Sequence, residues 1–333
     1  MSNAMSSTSL LFSQLDLKPC RPKGIYKDRH VNTIAAYYSP MPFQIEEGQL
    51  WEVPLADGSQ LRARFHEGSS EWIIVLMHGL GGSIQSNYMV GVTFKAKNLQ
   101  HSVLRVNHRN CGEGFGLSNR CYHSGVGDDI SDVIRMTRQR HPNKKICLMG
   151  FSLGANASLT LLTGQRGTEL PDQAFVVNPP INLAKSSLRI NSGVGLLYGA
   201  SFLRELMDEV KKLNEMGVIR LKPNLPPLAN LRDFDEAFTA PICGFKNALD
   251  YYQQCSTHEH LHKINVPTVI LTTEDDPMID AEDFRSAKVS SQVYINIEKY
   301  GGHLGYLCSD LKDHPEIQGR WLLYAIDQFL KYL

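Results

Sequence analysis

The chain of 333 residues has no net charge, no paired cysteines and no long hydrophobic run. Lysine plus arginine number 34, as do aspartate plus glutamate, so the total argues for neither a nucleic-acid partner nor an anionic membrane. The seven cysteines (Cys20, Cys111, Cys121, Cys147, Cys243, Cys255, Cys308) are scattered and odd in number, with no CxxC pair. Reduced thiols in a cytoplasmic protein fit this better than a disulfide framework or a zinc site. No apolar stretch reaches the roughly 20 residues a membrane helix needs, and the N-terminus lacks the basic-then-apolar order of a signal peptide. The opening "MSNAM" reads as a tag remnant, residues 1–4, ahead of Met5. Repeats and low-complexity tracts are missing too.

What is present is ordinary globular composition, 42% hydrophobic and 20% charged, in a chain long enough for one large α/β domain or two smaller ones. Residues 5–47, with prolines at 19, 22, 40 and 42, read as a loop-rich N-terminal arm. Asp57-Gly58 sits between two alternating runs, a hairpin signal. Six further β-rich runs follow: "EWIIVLM", "HSVLRVN", "KKICLMGF", "QAFVV", "VPTVILTT" and "SQVYINIE". Helical patterns such as "GDDISDVIRMTRQRH", "ANASLTLLTG" and the closing "WLLYAIDQFLKYL" separate or follow them. Strands alternating with helices predict a mostly parallel sheet covered on both faces. Between Pro180 and Pro267 only helical patterns and the link "LKPNLPPL" occur, which predicts a helical cap inserted between two sheet strands. The expected division is residues 48–180 and 267–333 for the core and 181–266 for the cap.

"GFSLG", with Ser152 between Gly150 and Gly154, follows an apolar strand and opens a helix. That is the context a G-x-S-x-G nucleophile elbow requires, since a tight turn must present the serine at a helix N-terminus. A serine hydroxyl needs a base to take its proton, and the base needs a group to orient it. Asp275-Asp276 and His303 follow in that order, each just past the end of a late strand. Asp276, before Pro277, is the expected acid and Asp275 the alternative. An oxyanion needs amide donors, here Leu153 and one from "MHGLGGS", with Leu80 ahead of Gly79. His78 is expected to be a structural hydrogen bonder, as are Asn107, His108 and Arg109.

Taken together, "HGLGGSIQSNYM", "VNHRNCGEG", "CYHSGVGDDI", "GFSLGAN", "NPPINL", "FDEAFTAPICGFKNALDYYQQCS", "TTEDDPMI", "GGHLGY" and the arm motif "KDRHVNTI" resemble the YheT-like branch of the α/β-hydrolase superfamily. The likeness runs from about Pro19 to the C-terminus. It implies the α/β-hydrolase fold with a helical cap, carboxylic-ester hydrolysis, and Ser152, Asp276 and His303 as the triad. Eukaryotic relatives of that branch act on phospholipids or make medium-chain esters. Two positions depart from the branch: Asn110 and Ala155 stand where glycine is usual. Asparagine tolerates the positive φ such a loop glycine can have.

The expected activity is a serine hydrolase cleaving small or lipid-like carboxylic esters through an acyl-enzyme. An acyltransferase or ester synthase with the same triad, and a non-catalytic binding module, are the alternatives. No cofactor or metal is implied, because His258, His260 and His262 of "HEHLH" match no complete ligand set and read as a surface segment. "MDEVKKLNEM" reads as a solvated face, and "GLLYGASFLREL" as packing inside the cap, so membrane contact is not indicated. Oligomeric state is not legible.

Overall fold

The computed structural model describes Leu15, residues 17–308, Leu311 and residues 314–333. The tag remnant expected at residues 1–4 lies outside them. The arm holds a helix, α1 (Arg29–Tyr38), rather than loop throughout. Asp28 starts it by accepting from the His30 and Val31 amides, which offsets two of the unpaired N–H groups of a first turn.

The sheet begins with β1 (Gln49–Pro54) and β2 (Gln60–His66), an antiparallel hairpin whose turn places Gly58 at φ +84°. Then come β3 (Trp72–Met77), helix α2 (Asn87–Asn98), β4 (Ser102–Asn107) and helix α3 (Gly127–Arg140). β5 (Lys145–Phe151), helix α4 (Leu153–Leu162) and β6 (Gln173–Val177) complete the first part. The strand order is β1-β2-β4-β3-β5-β6-β7-β8, with β7 at Thr268–Thr273 and β8 at Val293–Glu298. β2 runs against both its neighbours; every other pairing is parallel.

Strand β3 explains the layering. All six of its residues are buried, but Ile73, Val75 and Met77 pack into one core and Trp72, Ile74 and Leu76 into the other. A period of two sends alternate side chains to opposite faces, so a continuous apolar run needs cover on both. Ile130, Val133 and Ile134 of α3 and Leu159 of α4 cover the first face. Met89, Val92 and Ala96 of α2 cover the second, with Trp321 and Ile326 of the last helix.

Between β6 and β7 the described residues form helices alone. These are α5 (Leu183–Ile190), α6 (Gly195–Glu215), α7 (Leu231–Phe234), α8 (Ala240–Cys243) and α9 (Ala248–Cys255), with one π-turn at Asp235–Thr239 and a 3-10 turn at Leu261–Lys263. Two short helices follow in the core, α10 (Ala281–Ser286) and α11 (Trp321–Leu330). The apolar start of α6 is not packed inside: Leu196 and Leu197 are 51% and 72% exposed. In that first turn Gly195 is buried against Arg189 O, and Tyr198 stacks on His30 of α1. The inward stripe begins at Tyr198 and continues through Phe202, Leu206, Val210 and Leu213 at helical spacing. Among the described residues, no helix is long and apolar enough to cross a membrane.

Candidate active site

The turn from β5 into α4 holds Ser152 at φ +52°, ψ −122°. A non-glycine residue there carries strain on the order of 1–3 kcal/mol, and persists only where its surroundings enforce it. They do so on both sides. The Ser152 amide donates to Val177 O at the end of β6, and the Ser152 carbonyl accepts from the Ala155 and Asn156 amides. A Cβ on Gly154 would lie 2.2 Å from His78 O, and one on Gly150 would lie 2.6 Å from Ser158 Oγ and 2.7 Å from Ala155 Cα. Both glycines are therefore needed for β3, β5 and α4 to approach this closely. Ala155, which stands where the branch usually has glycine, is fully buried.

His303 stands beside the serine. Its Nε2 is 2.7 Å from Ser152 Oγ and its Nδ1 is 2.8 Å from Asp276 Oδ2. Asp276 is buried and also accepts from Asn178 Nδ2 through Oδ2, and from the Met278 and Ile279 amides through Oδ1. Four donors around two oxygens suit a carboxylate, which leaves Nδ1 as the protonated nitrogen and Nε2 as an acceptor for the serine hydroxyl. Asp275 has a different place. Its Oδ1 accepts from the Gly302 amide at 2.9 Å and so braces the loop that carries His303. Burial raises its pKa, and the amide bonds of that loop pull the other way.

Two amides border the serine on the open side. The Gly79 N–H is spent on Tyr88 Oη at 2.9 Å, whereas among the described residues the Leu80 and Leu153 amides meet no acceptor. Leu80 and Leu153 line one cavity with Ser152 and His303. His78 holds the first of these loops from behind. Its Nδ1 donates to Gly79 O, its Nε2 accepts from the His108 amide, and its carbonyl accepts from Tyr122 Oη and His108 Nε2. Burial pushes His78 down to about 4, so it stays neutral in this frame.

Arg109 is locked by Asp129 and Asp57, and Asn107 Oδ1 accepts from the Ile84 amide. Asn110 has φ +56° and ties its loop with side-chain bonds to Ser118 O, Arg120 O and the Gly116 and Ser118 amides. Glycine could adopt that backbone but could not make those bonds. Among the described residues no three metal-ligating side chains converge, the three histidines of the "HEHLH" segment included.

Several residues at the site have no local sequence signal. Asn178, at φ +46°, bridges Asp276 and Tyr306 Oη. Thr33 of α1 accepts from the His303 amide at 2.9 Å while donating to Arg29 O, and Asn32 bonds both the amide and the carbonyl of Leu307. A Cβ on Gly302 would sit 2.5 Å from Thr33 Oγ1, so this glycine admits the helix. The segments "NPPINL" and "KDRHVNTI" stand out in the chain, but their partners lie on distant strands. Thr33→Val keeps the shape of the side chain and removes the acceptor. A buried amide left without a partner costs about 1–3 kcal/mol, so kcat for ester cleavage is expected to fall roughly tenfold with KM little changed. Steady-state kinetics on a chromogenic ester check this.

The cavity beside Ser152 is lined in part by the helices between β6 and β7, with Leu183, Ile190, Phe202, Leu206, Phe234 and Phe238 among its walls. Glu209 lines it too. It belongs to the segment expected to be solvated, and Asp208, Lys211, Lys212 and Glu215 are indeed exposed. Glu209 differs because it lies three residues after Leu206 and four before Leu213, on their inward face.

A family described as serine aminopeptidase, S33, matches residues 68–294. YheT of Escherichia coli (strain K12), named as an inferred esterase, is 30% identical over 262 residues, covering 77% of this chain and 76% of that protein. The monoacylglycerol lipase of Saccharomyces cerevisiae is 27% identical over 78% of this chain and 59% of its own length. The mouse phospholipase ABHD3 is 25% identical over 77% of this chain and 65% of its own. The chain thus spans about three fifths of the yeast relative and about three quarters of the bacterial one. Among solved structures, an esterase of Pyrococcus furiosus aligns over 88% of this chain and 98% of its own, with a TM-score of 0.55 at 16% identity, a likeness of fold. With the family matching most of the chain and the bacterial relative most of both, this protein belongs to the YheT-like branch of the α/β-hydrolase superfamily.

Proposed function

We propose that this protein is a carboxylic-ester hydrolase in which Ser152 is the nucleophile, His303 the general base and acid, and Asp276 the group that orients the imidazole. The observation that carries this is the unbroken chain from Ser152 Oγ to His303 Nε2, and from His303 Nδ1 to Asp276 Oδ2. In the first half-reaction His303 takes the hydroxyl proton as Oγ attacks the ester carbonyl. The Leu80 and Leu153 amides receive the oxyanion, with the positive end of α4 behind them. Collapse expels the alcohol, protonated by His303, and leaves an acyl-Ser152. Water, activated by the same imidazole, then releases the acid.

Residues 181–266 act in this reading as a cap over the serine, with residues 48–180 and 267–333 as the core and residues 5–47 as an arm. The mainly apolar walls of the cavity favour small or lipid-like esters. The relatives named for monoacylglycerol and phospholipid cleavage support the same substrate range. Seven cysteines outside any disulfide support a cytoplasmic location.

A fluorophosphonate probe should label the folded protein once, on Ser152, and labelling should remove cleavage of 4-nitrophenyl esters in parallel. Folded protein that neither labels nor cleaves would leave only a binding role.

A further inference from the structure

Helix α6 gives the cavity a face of Phe202, Leu206, Val210 and Leu213, and among them one ionisable side chain, Glu209. Among the described residues Glu209 has no ion pair and no hydrogen bond, in contrast to the carboxylates on the core side. Asp129 is held by Arg109 and Asp276 by four donors, and even in the helical segment Asp235 accepts from Tyr252 Oη at 2.7 Å. A carboxyl facing an apolar cavity without a partner loses hydration and gains nothing in return, so it destabilises the empty protein. Two acids in one cavity, with the nearby Arg109 already neutralised by Asp57 and Asp129, also leave the space with an excess of negative charge. An anionic group entering it would meet like charge at low dielectric; a donor would meet a waiting acceptor.

We propose that Glu209 determines specificity in this cavity: its carboxyl accepts a hydrogen bond from a hydroxyl or ammonium group carried by the substrate, and turns away substrates that carry a carboxylate or phosphate there. The proposal deepens the esterase reading and rests on it. Two further features agree with it. Burial pushes Glu209 up to about 7, with Glu205 adding in the same direction and Lys212 opposing, so the group is poised between the neutral and charged forms near neutrality. The π-turn that carries Asp235 is also a local irregularity of the kind that marks ligand sites.

Two series of esters test this at pH 8.5, where Glu209 is ionised. One varies the acyl end: methyl hexanoate, methyl 6-hydroxyhexanoate, methyl 6-aminohexanoate and monomethyl adipate. The other keeps an acetyl group and varies the far end of the alcohol in the same way. The quantity read is the ratio of kcat/KM for the carboxylate-ended ester to that for the methyl-ended one, measured within each protein. In Glu209→Gln this ratio is expected to rise about tenfold or more in one series, as removal of a like charge a few ångströms away requires. In Glu209→Leu the preference for the hydroxyl- and ammonium-ended esters over the methyl-ended one should disappear. Asp208→Asn, a charge change of the same size on the exposed side of α6, should leave every ratio as it is. The series that responds also reports which side of the ester lies under the cap. Ratios unmoved in both series, with the esters still cleaved, would overturn the role of Glu209. Absence of cleavage of any ester by the unaltered protein would instead overturn the esterase reading.

Discussion

Ser152→Ala is expected to reduce kcat for ester cleavage by about 10⁴–10⁶-fold, leaving the small residual rate that oxyanion donors and binding alone provide. The magnitude follows from what is lost. Among the described residues no other hydroxyl meets His303 Nε2, and the acyl-enzyme cannot form without Oγ. The fold should persist, because the elbow is held by the Ser152 amide and carbonyl and by the glycines around it, none of which the substitution touches. An unchanged thermal midpoint with lost turnover and lost fluorophosphonate labelling is therefore the anticipated pair of results. A Ser152→Ala protein as active as its parent would remove the serine from the chemistry altogether.

Asp276→Asn should lower kcat by roughly 10³–10⁴-fold, since an amide in that place can donate to Nδ1 and so favours the tautomer that holds its proton at Nε2, facing the serine. Its neighbour serves as the control. Asp275→Asn keeps an oxygen for the Gly302 amide, so it disturbs only the brace of the His303 loop, and a loss of about tenfold or less is expected. The two variants differ by one position and by the same chemical change, which makes the contrast informative. Equal losses in both would mean that the acid is shared or that the loop, not the hydrogen bond to Nδ1, sets the rate. Circular dichroism and urea midpoints separate loss of catalysis from loss of fold, which matters for Asp276 because four donors surround it.

Some of this is legible in the sequence alone. Each strand of the sheet carries its own signal, because a two-residue period, a Gly-containing loop and a helical repeat are all short-range patterns. The β1–β2 hairpin follows from Asp57-Gly58, and the all-helical stretch between β6 and β7 from the lack of any β-rich run there. The positive φ of Asn110 belongs in the same group, since the residue type itself tolerates that backbone. Prolines on both sides of α1 mask its helical pattern in the sequence, although Asp28 is an ordinary cap signal.

Residue order along the chain accounts for which strand ends bear Ser152, the Asp275-Asp276 pair and His303, because a strand and the loop that follows it are local facts. Choice among neighbours belongs to the tertiary structure. Asp276 rather than Asp275 faces Nδ1, and Tyr88 occupies the Gly79 amide while Leu80 stays open. Thr33 and Asn32 reach a loop some 270 residues away, and Glu209 turns inward while the charges beside it face water. In each case the deciding partner lies on another element, and a one-residue step along a loop or a 100° step around a helix changes which way the side chain points. Local propensity is blind to that difference; packing is not.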